Sequence, residues 1–152
     1  MVIRNIAAGS FSKRLGVPEG KEFIKPIIEF YYKDDQLDDP FINEEHIYFL
    51  QLAKPEEISE LKAQALAINE ILTELFAKVG LVLVDFKLEF GRSNGQILLA
   101  DEVTPDTCRL WDERTNEHMD KDVYRRDLGD LIPVYQEVYN RLSELTEEKE
   151  RV

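Results

Sequence analysis

The chain is short of cysteine, of positive charge and of long apolar runs, and each shortage excludes a class of protein. Its single cysteine, Cys108, cannot form an intrachain disulfide, so we expect a reducing, cytoplasmic setting. Against 31 acidic residues there are 19 lysines and arginines, and the net charge of −12 argues against broad binding to nucleic acid. No apolar run approaches the roughly 18 residues of a membrane span, and the N-terminus lacks the pattern of a signal peptide. We therefore expect no membrane attachment.

The 152 residues are enough for one domain with an apolar core, built from both strands and helices. The strongest helix pattern begins at Pro55, repeats apolar residues at helical spacing and ends at Gly80. Residues 103–118 predict an irregular loop. Residues 146–152 are highly charged and predict a frayed tail.

One predicted hairpin carries the most chemically informative charges. Side chains alternate between the faces of a strand, so Asp85, Lys87 and Glu89 share one face. The opposite, apolar face is predicted to contain Val84, Phe86, Leu88 and Phe90. Two carboxylates, Glu89 and Asp101, are suited to Mg²⁺, which prefers oxygen ligands, and Lys87 is suited to a phosphate. The alternative is a solvated strand face whose charges form cross-strand ion pairs.

The register of this hairpin decides where Asp101 lies. A two-residue turn pairs Leu88 with Asp101 and places the acid on the apolar face. A three-residue loop over residues 93–95 pairs Lys87 with Asp101 and Leu88 with Ala100, which sorts polar and apolar side chains onto separate faces. We therefore predict the three-residue loop.

Two further segments are candidates for anion binding. Residues 4–10, Arg-Asn-Ile-Ala-Ala-Gly-Ser, combine an arginine with small residues, and Ser10 could cap a helix whose N-terminus suits a phosphate. The alternative there is an ordinary helix cap beside a surface arginine. Arg109 follows a turn and could clamp a carboxylate or phosphate, or it could form a structural ion pair with Asp106 or Asp112.

The remaining reactive side chains favour structural positions. Cys108 has no histidine near it in sequence and is expected to be a small buried residue rather than a nucleophile. His46 and His118 lack the spacing of a metal site and are expected at the surface.

Six ordered segments together resemble the SAICAR synthetase family. They cover residues 4–10, 39–44, 84–91, 100–106, 109–112 and 119–122. The resemblance extends from Arg4 to about Leu142. It implies an α+β fold, in which residues 1–145 form the C-terminal lobe of a two-lobed enzyme, with a mixed or antiparallel sheet and flanking helices.

The resemblance also implies an activity. The family is an ATP-dependent ligase of purine biosynthesis that uses Mg²⁺ and joins CAIR to L-aspartate, giving SAICAR, ADP and phosphate. The carboxylate of CAIR is expected to be phosphorylated and then attacked by the amine of aspartate. The alternative, from a different class, is a non-catalytic module that binds a phosphorylated small molecule.

The motifs assign roles to individual residues by resemblance. Glu89 and Asp101 are implied to bind Mg²⁺ and the phosphates of ATP, while Lys87 and Asp85 are implied to lie at the reacting centre. The residues implied to contact the substrates are Arg4, Ser10, Lys33, Asp106 and Arg109.

The chain departs from the family at its start. Members normally carry an N-terminal lobe, with a glycine- and lysine-bearing nucleotide loop, before the segment that begins here at Arg4. We therefore expect the C-terminal lobe alone, with part of the ATP cleft missing and little or no ligase activity in isolation. Exposed apolar surface would then favour a homo-oligomer.

Overall fold

The computed structural model describes the backbone of residues 1–150 and the side chains of residues 1–146. The elements are β1 Val2–Ile6, α1 Gly9–Leu15, β2 Glu22–Tyr31, β3 Phe41–Ile42, α2 Glu44–Phe49, α3 Pro55–Ala77, β4 Leu81–Lys87, β5 Glu89–Ser93, β6 Gln96–Ala100, β7 Cys108–Asp112, α4 Asp122–Arg125 and α5 Leu131–Glu150. Five strands form one sheet in the order β3-β2-β1-β4-β7, and each neighbouring pair is antiparallel. A separate hairpin contains β5 and β6. The predicted α+β fold with flanking helices is confirmed.

The main core lies between the sheet and two long helices. Proline occupies the first turn of α3, where it has no helical hydrogen bond to lose, and the backbone N–H of Lys54 donates to the Glu57 carboxylate at 2.8 Å. Phe76 of α3 and Val138 of α5 belong to the same buried cluster as Phe86 of β4. The helix predicted from Pro55 is therefore confirmed, and its apolar face packs on β4.

Strand β4 does not keep a single apolar face. Leu83 and Phe86 both belong to the main core, whereas Val84, between them, packs with Ile6 and Ala8 in a second cluster. The pairing of β4 with β7 shifts register between Leu83 and Asp85, which reverses the alternation of side chains. The prediction that Val84 shares a face with Phe86 is wrong for this reason.

The predicted register of the hairpin is also wrong. Ser93 pairs with Gln96 through a two-residue turn in which both central residues have positive φ, 51° at Asn94 and 78° at Gly95. The three-residue loop was favoured because a two-residue turn places Asp101 opposite the apolar Leu88. The structure avoids that conflict, since β4 and β5 are separate strands on either side of Leu88.

Asp101 leaves the hairpin as soon as β6 ends. Its backbone is left-handed, with φ 66°, and its carboxylate lies 3.5 Å from the Lys87 ammonium. The side-chain pair that was predicted therefore forms, although the backbone pairing that was expected to produce it does not.

Two other regions differ from the sequence predictions or lie beyond them. Within residues 103–118, Cys108–Asp112 form strand β7, so the prediction of an irregular loop is wrong there. Helix α5 extends through Glu150, and residues 151–152 of the predicted tail lie outside the described residues, so the boundary at residue 145 stays a prediction. Among the described helices, none combines the length and apolar character needed to cross a membrane.

Candidate active site

Three charged residues on adjacent strands form the centre of the site. Arg4 of β1 pairs with Asp85 of β4, and Asp85 pairs with Arg109 of β7, so the three side chains are cross-strand neighbours. Asp85 accepts hydrogen bonds from Arg4 Nη1 at 2.6 Å and from Arg109 Nη1 at 2.6 and 2.7 Å. Asp85 is only 5% exposed, and an unpaired charge buried to this extent would lower the stability of the fold. Burial raises the pKa of Asp85, while Arg109 and Arg4 oppose that rise.

Arg4 uses each of its three guanidinium nitrogens. Its Nε donates to Glu29 Oε2 at 2.9 Å, its Nη1 to Asp85, and its Nη2 to Ser10 Oγ at 3.0 Å. Arg4 itself is 3% exposed, whereas Ser10 is exposed at the start of α1. The hydroxyl of Ser10 is therefore the accessible end of this chain of contacts.

Arg109 lies between two acids and a glycine. Its Nη1 donates to Asp85, and its Nε donates to Asp122 Oδ2 at 2.7 Å. A Cβ atom at Gly9, whose φ is +53°, would lie only 2.5 Å from Arg109 Nη2. The guanidinium thus occupies space that only glycine leaves open. We refer to Arg4, Glu29, Asp85, Arg109 and Asp122 as the arginine cluster.

The acids that were predicted as partners of Arg109 have other contacts. Asp106 accepts from Lys121 Nζ at 2.8 Å and from the hydroxyl of Tyr135. Asp112 accepts from Arg141 Nη1 at 2.9 Å, which links β7 to α5. The alternative of an ion pair between Arg109 and either acid is wrong. Among the described side chains, Asp106 makes no hydrogen bond to the arginine cluster.

A second group of charges lies around the C-terminal end of β4, beyond Asp85. Lys87 donates to Glu89 Oε1 at 2.8 Å and lies 3.5 Å from Asp101 Oδ2, while Lys33 pairs with the other oxygen of Glu89. We refer to these four residues as the lysine cluster. Hydrogen bonds from Lys33 and Lys87 lower the pKa of Glu89 to about 2. The carboxylates of Glu89 and Asp101 both lie beside the ammonium group of Lys87. Two carboxylates around one positive charge is also the arrangement that a metal ion would need.

A groove of about 640 Å³ joins parts of both clusters. Arg4 and Ser10 lie on its wall with Lys33, Lys87 and Glu89. Its apolar lining includes Phe30, Ile42, Ile47, Ile58, Leu61 and Leu88. A groove with apolar walls and a few convergent charges is typical of a small-molecule site.

Sequence reasoning missed three members of this region. Glu29 is an acid within an apolar strand pattern, and its burial could not be inferred without its arginine partners. Asp122 lies in a segment that the family resemblance included, but no role was assigned to it. His118 was predicted at the surface, which is wrong: it is partly buried, and its Nδ1 accepts from Trp111 Nε1 at 3.1 Å.

His118 also belongs to a compact group with two acids. One ligand atom from each of His118, Asp120 and Asp122 can lie within 4.8 Å of the others. Asp120 accepts the backbone N–H groups of Leu110 and Asp122, each at 2.7 Å, and Asp122 is paired with Arg109. Burial raises the pKa of Asp120 to about 6. These contacts already use the acids, so the group organises the turn before α4.

The fold and the site together define an α+β lobe that places an arginine cluster beside a lysine–carboxylate cluster. Residues 1–142 match the sequence profile of SAICAR synthetase. The chain belongs to the SAICAR synthetase family.

Individual relatives show the same likeness over most of this chain. It is 63% identical over 143 residues to a phosphoribosylaminoimidazole-succinocarboxamide synthase of Enterococcus faecalis, and the match covers 93% of this chain and 60% of that protein. The crystal structure of the enzyme of that name from Ehrlichia chaffeensis has a TM-score of 0.90 and 52% identity, covering 93% of this chain and 62% of the other. A SAICAR synthetase solved in complex with ADP has a TM-score of 0.90 and 53% identity, covering 94% and 61%. The chain thus spans about 60% of the length of the curated relatives it matches.

Proposed function

We propose that the chain supplies the substrate-binding and magnesium-phosphate-binding part of a SAICAR synthetase. This ATP-dependent ligase joins CAIR to L-aspartate and produces SAICAR, ADP and phosphate. The main support is that alternate residues around the end of β4, namely Asp85, Lys87 and Glu89, connect the arginine cluster to the lysine cluster. A phosphorylated substrate and a metal-bound nucleotide would then lie next to each other.

The arginine cluster is suited to CAIR. Arg109 is partly exposed, and its planar guanidinium can donate to phosphate oxygens in pairs. Ser10 adds an exposed hydroxyl that is oriented by Arg4. Asp85 accepts from both arginines, which supports a role in holding the two guanidiniums in place.

The lysine cluster is suited to Mg²⁺ and nucleotide phosphates. Glu89 and Asp101 would hold the ion through carboxylate oxygens, the ligands that it prefers, and the low pKa of Glu89 keeps that group ionised at neutral pH. When bound, Mg²⁺ would neutralise charge on the phosphate oxygens. ADP in the related crystal structure supports a nucleotide as the ligand.

Lys87 and Lys33 would act on the negatively charged substrates through their positive charge and their position beside the groove. Glu89 holds both ammonium groups at the mouth of the groove, and hydrogen bonding to it raises the pKa of each lysine, so both stay protonated. Lys87 would stabilise the phosphoryl group as it moves to the CAIR carboxylate, and Lys33 would attract the anionic substrate. Asp106 would approach the substrates only through its partner Lys121.

The test is a calorimetric titration of the chain with ADP, with and without Mg²⁺. Asp101→Asn should weaken the magnesium-dependent affinity about tenfold or more, since a charged oxygen ligand is lost. Asp35→Asn, at an exposed acid in the loop before β3, is the matched control and should change nothing. An affinity for ADP that is independent of Mg²⁺, or unchanged in Asp101→Asn, would contradict the proposal.

A second candidate is a non-catalytic module that holds a phosphorylated small molecule. The arginine cluster favours it, because the hydrogen bonds of that cluster join residues of this chain only. Calorimetric titration with CAIR, with and without MgATP, separates the two functions. CAIR affinity that changes with MgATP excludes the module, whereas CAIR binding that MgATP leaves unchanged favours it.

Location and assembly are part of the same proposal. A cytoplasmic setting rests on the single cysteine, Cys108, which is buried and whose pKa burial raises to about 12, as expected for an unreactive thiol. Self-association rests on exposed apolar side chains such as Phe49, Ile132 and Tyr139. Sedimentation measurements over a range of protein concentrations test it.

A further inference from the structure

Glu29 is a buried acid whose two oxygens are both used. It lies in β2, is 5% exposed, and accepts at Oε2 from Arg4 Nε at 2.9 Å and from the Tyr31 hydroxyl at 2.8 Å. Its Oε1 accepts from Arg14 Nη2. A carboxylate at this depth needs such partners, because removing one of them leaves an uncompensated charge.

The contact with Arg4 fixes an orientation that no other acid supplies among the described residues. Asp85 holds one edge of the Arg4 guanidinium at Nη1, and Glu29 holds another at Nε. A planar group held at two corners has one orientation, which here directs Nη2 at Ser10 Oγ. With Asp85 alone, the guanidinium could rotate and lose Ser10.

We propose that Glu29 is a positioning residue for Arg4 in the substrate site, and that Arg14 and Tyr31 hold Glu29 in turn. The proposal rests on the CAIR-binding role given to the arginine cluster above. Arg14 of α1 contacts the Tyr31 hydroxyl at 3.2 Å and lies 4.8 Å from the centre of the Phe41 ring. The arrangement thus joins α1, β2 and β3 behind the residue that orients Ser10.

The first test is spectroscopic and needs no ligand. The Nε–Hε signal of Arg4 in a ¹⁵N-labelled chain reports directly on its hydrogen bond to Glu29. Glu29→Gln keeps the size of the side chain but removes the charge, so this signal should shift and its proton should exchange faster with water. The Nε–Hε signal of Arg109, which donates to Asp122, should stay in place. An unchanged Arg4 signal would overturn the proposal.

The second test measures binding with ribose 5-phosphate as the probe. Glu29→Gln should weaken its affinity about tenfold, as expected when a charged hydrogen-bond partner is lost. Tyr31→Phe keeps the charge but removes one donor to the same oxygen and a hydroxyl 3.4 Å from Arg4 Nη2, so it should have a smaller effect in the same direction. Glu137→Gln, at an exposed acid of α5, is the matched control and should change nothing.

The outcomes separate this proposal from the function on which it rests. If the unaltered chain binds neither ribose 5-phosphate nor CAIR, the CAIR-binding role is wrong, whatever the Arg4 signal does. If the unaltered chain binds the probe and Glu29→Gln shifts the Arg4 signal without loss of affinity, the positioning role of Glu29 is wrong. If Glu29→Gln does not fold, Tyr31→Phe decides, and an unshifted Arg4 signal in that variant overturns the proposal.

Discussion

At the scale of single residues, the site depends on buried charges that hold one another in place. Asp85 is surrounded by two arginines, and each arginine is held by a further acid, Glu29 or Asp122. Buried carboxylates and guanidiniums of this kind contribute little net stability but set geometry closely. Substitutions that keep the charge and size of these side chains should therefore affect binding more than folding.

Gly9 gives a direct test of how tightly Arg109 is packed. Gly9→Ala should lower the free energy of unfolding in two ways, since its φ of +53° strains alanine and the new Cβ meets Arg109 Nη2. Backbone strain alone should cost about 1–3 kcal/mol. Gly16→Ala is the matched control, because Gly16 has a φ of +64° but no atom within 4 Å of the added Cβ. Urea unfolding of both variants should show the larger loss for Gly9→Ala, and equal losses would contradict the packing.

Asp120 should make stability depend on pH in a particular direction. Burial raises its pKa from 3.8 to about 6, so the folded chain holds this proton more tightly than the unfolded chain. Its contribution to the free energy of unfolding is full below about pH 4 and is lost as the pH rises through 6, by about 3 kcal/mol in total.

Asp120→Asn removes this titration and should flatten the pH profile between pH 4 and 7, measured by urea unfolding at each pH. The exposed Asp35→Asn serves as control and should keep the profile of the unaltered chain. A profile that is the same in Asp120→Asn and in the unaltered chain would show that Asp120 does not titrate in this range.

At the scale of elements, the sequence predicts which segments form helices and strands better than it predicts how the strands pair. The helix from Pro55 could be predicted because apolar spacing and proline agree there. The register at Leu88 could not, because alternation assumes one continuous strand, whereas β4 ends at Lys87 and β5 begins at Glu89. Strand β7 was missed because Cys108–Asp112 includes charged residues whose partners, Asp85 and Arg141, are distant in sequence.

The same limit applies to the candidate site. The charges Asp85, Lys87 and Glu89 could be identified from strand spacing, Arg4 from the small residues that follow it, and Arg109 from the turn before it. Which acid pairs with which arginine depends on contacts between β1, β2, β4 and β7, which local sequence does not encode. Glu29 was missed for that reason.

Helix α3 is aligned with β1 by a pair of amides, which gives a test at this scale. Asn5 Nδ2 donates to Asn69 Oδ1 at 2.8 Å, and Asn69 Nδ2 returns a hydrogen bond at 3.0 Å. Asn69→Leu would leave the Asn5 amide oxygen without this donor, so the free energy of unfolding should fall by about 1–3 kcal/mol. Thermal or urea unfolding measures it.

The control for this change is Asn140→Leu, at an exposed position on α5. It should alter stability by less than about 0.5 kcal/mol, as is usual at the surface. If the two variants unfold alike, the amide pair does not align α3 with the sheet.

At the scale of the whole molecule, two charged clusters meet along the sheet, and Arg4 of one and Lys87 and Glu89 of the other line the same groove. The sheet brings Arg4, Asp85 and Arg109 together from three parts of the chain, and the broken strand after Lys87 turns Glu89 and Asp101 toward a lysine. Because the net charge of the chain is −12, a cluster of arginines and lysines cannot be explained by a generally basic surface, and it therefore indicates an anion-binding site.

Calorimetric titration with CAIR tests whether the arginine cluster binds the phosphorylated substrate. Arg109→Lys keeps the charge but loses the planar pair of donors, whereas Arg114→Lys, in an exposed turn, is the matched control. We expect CAIR to bind the unaltered chain and the control alike, and to bind Arg109→Lys about tenfold more weakly. Equal affinity of CAIR for all three chains, or no binding to any of them, would contradict this prediction.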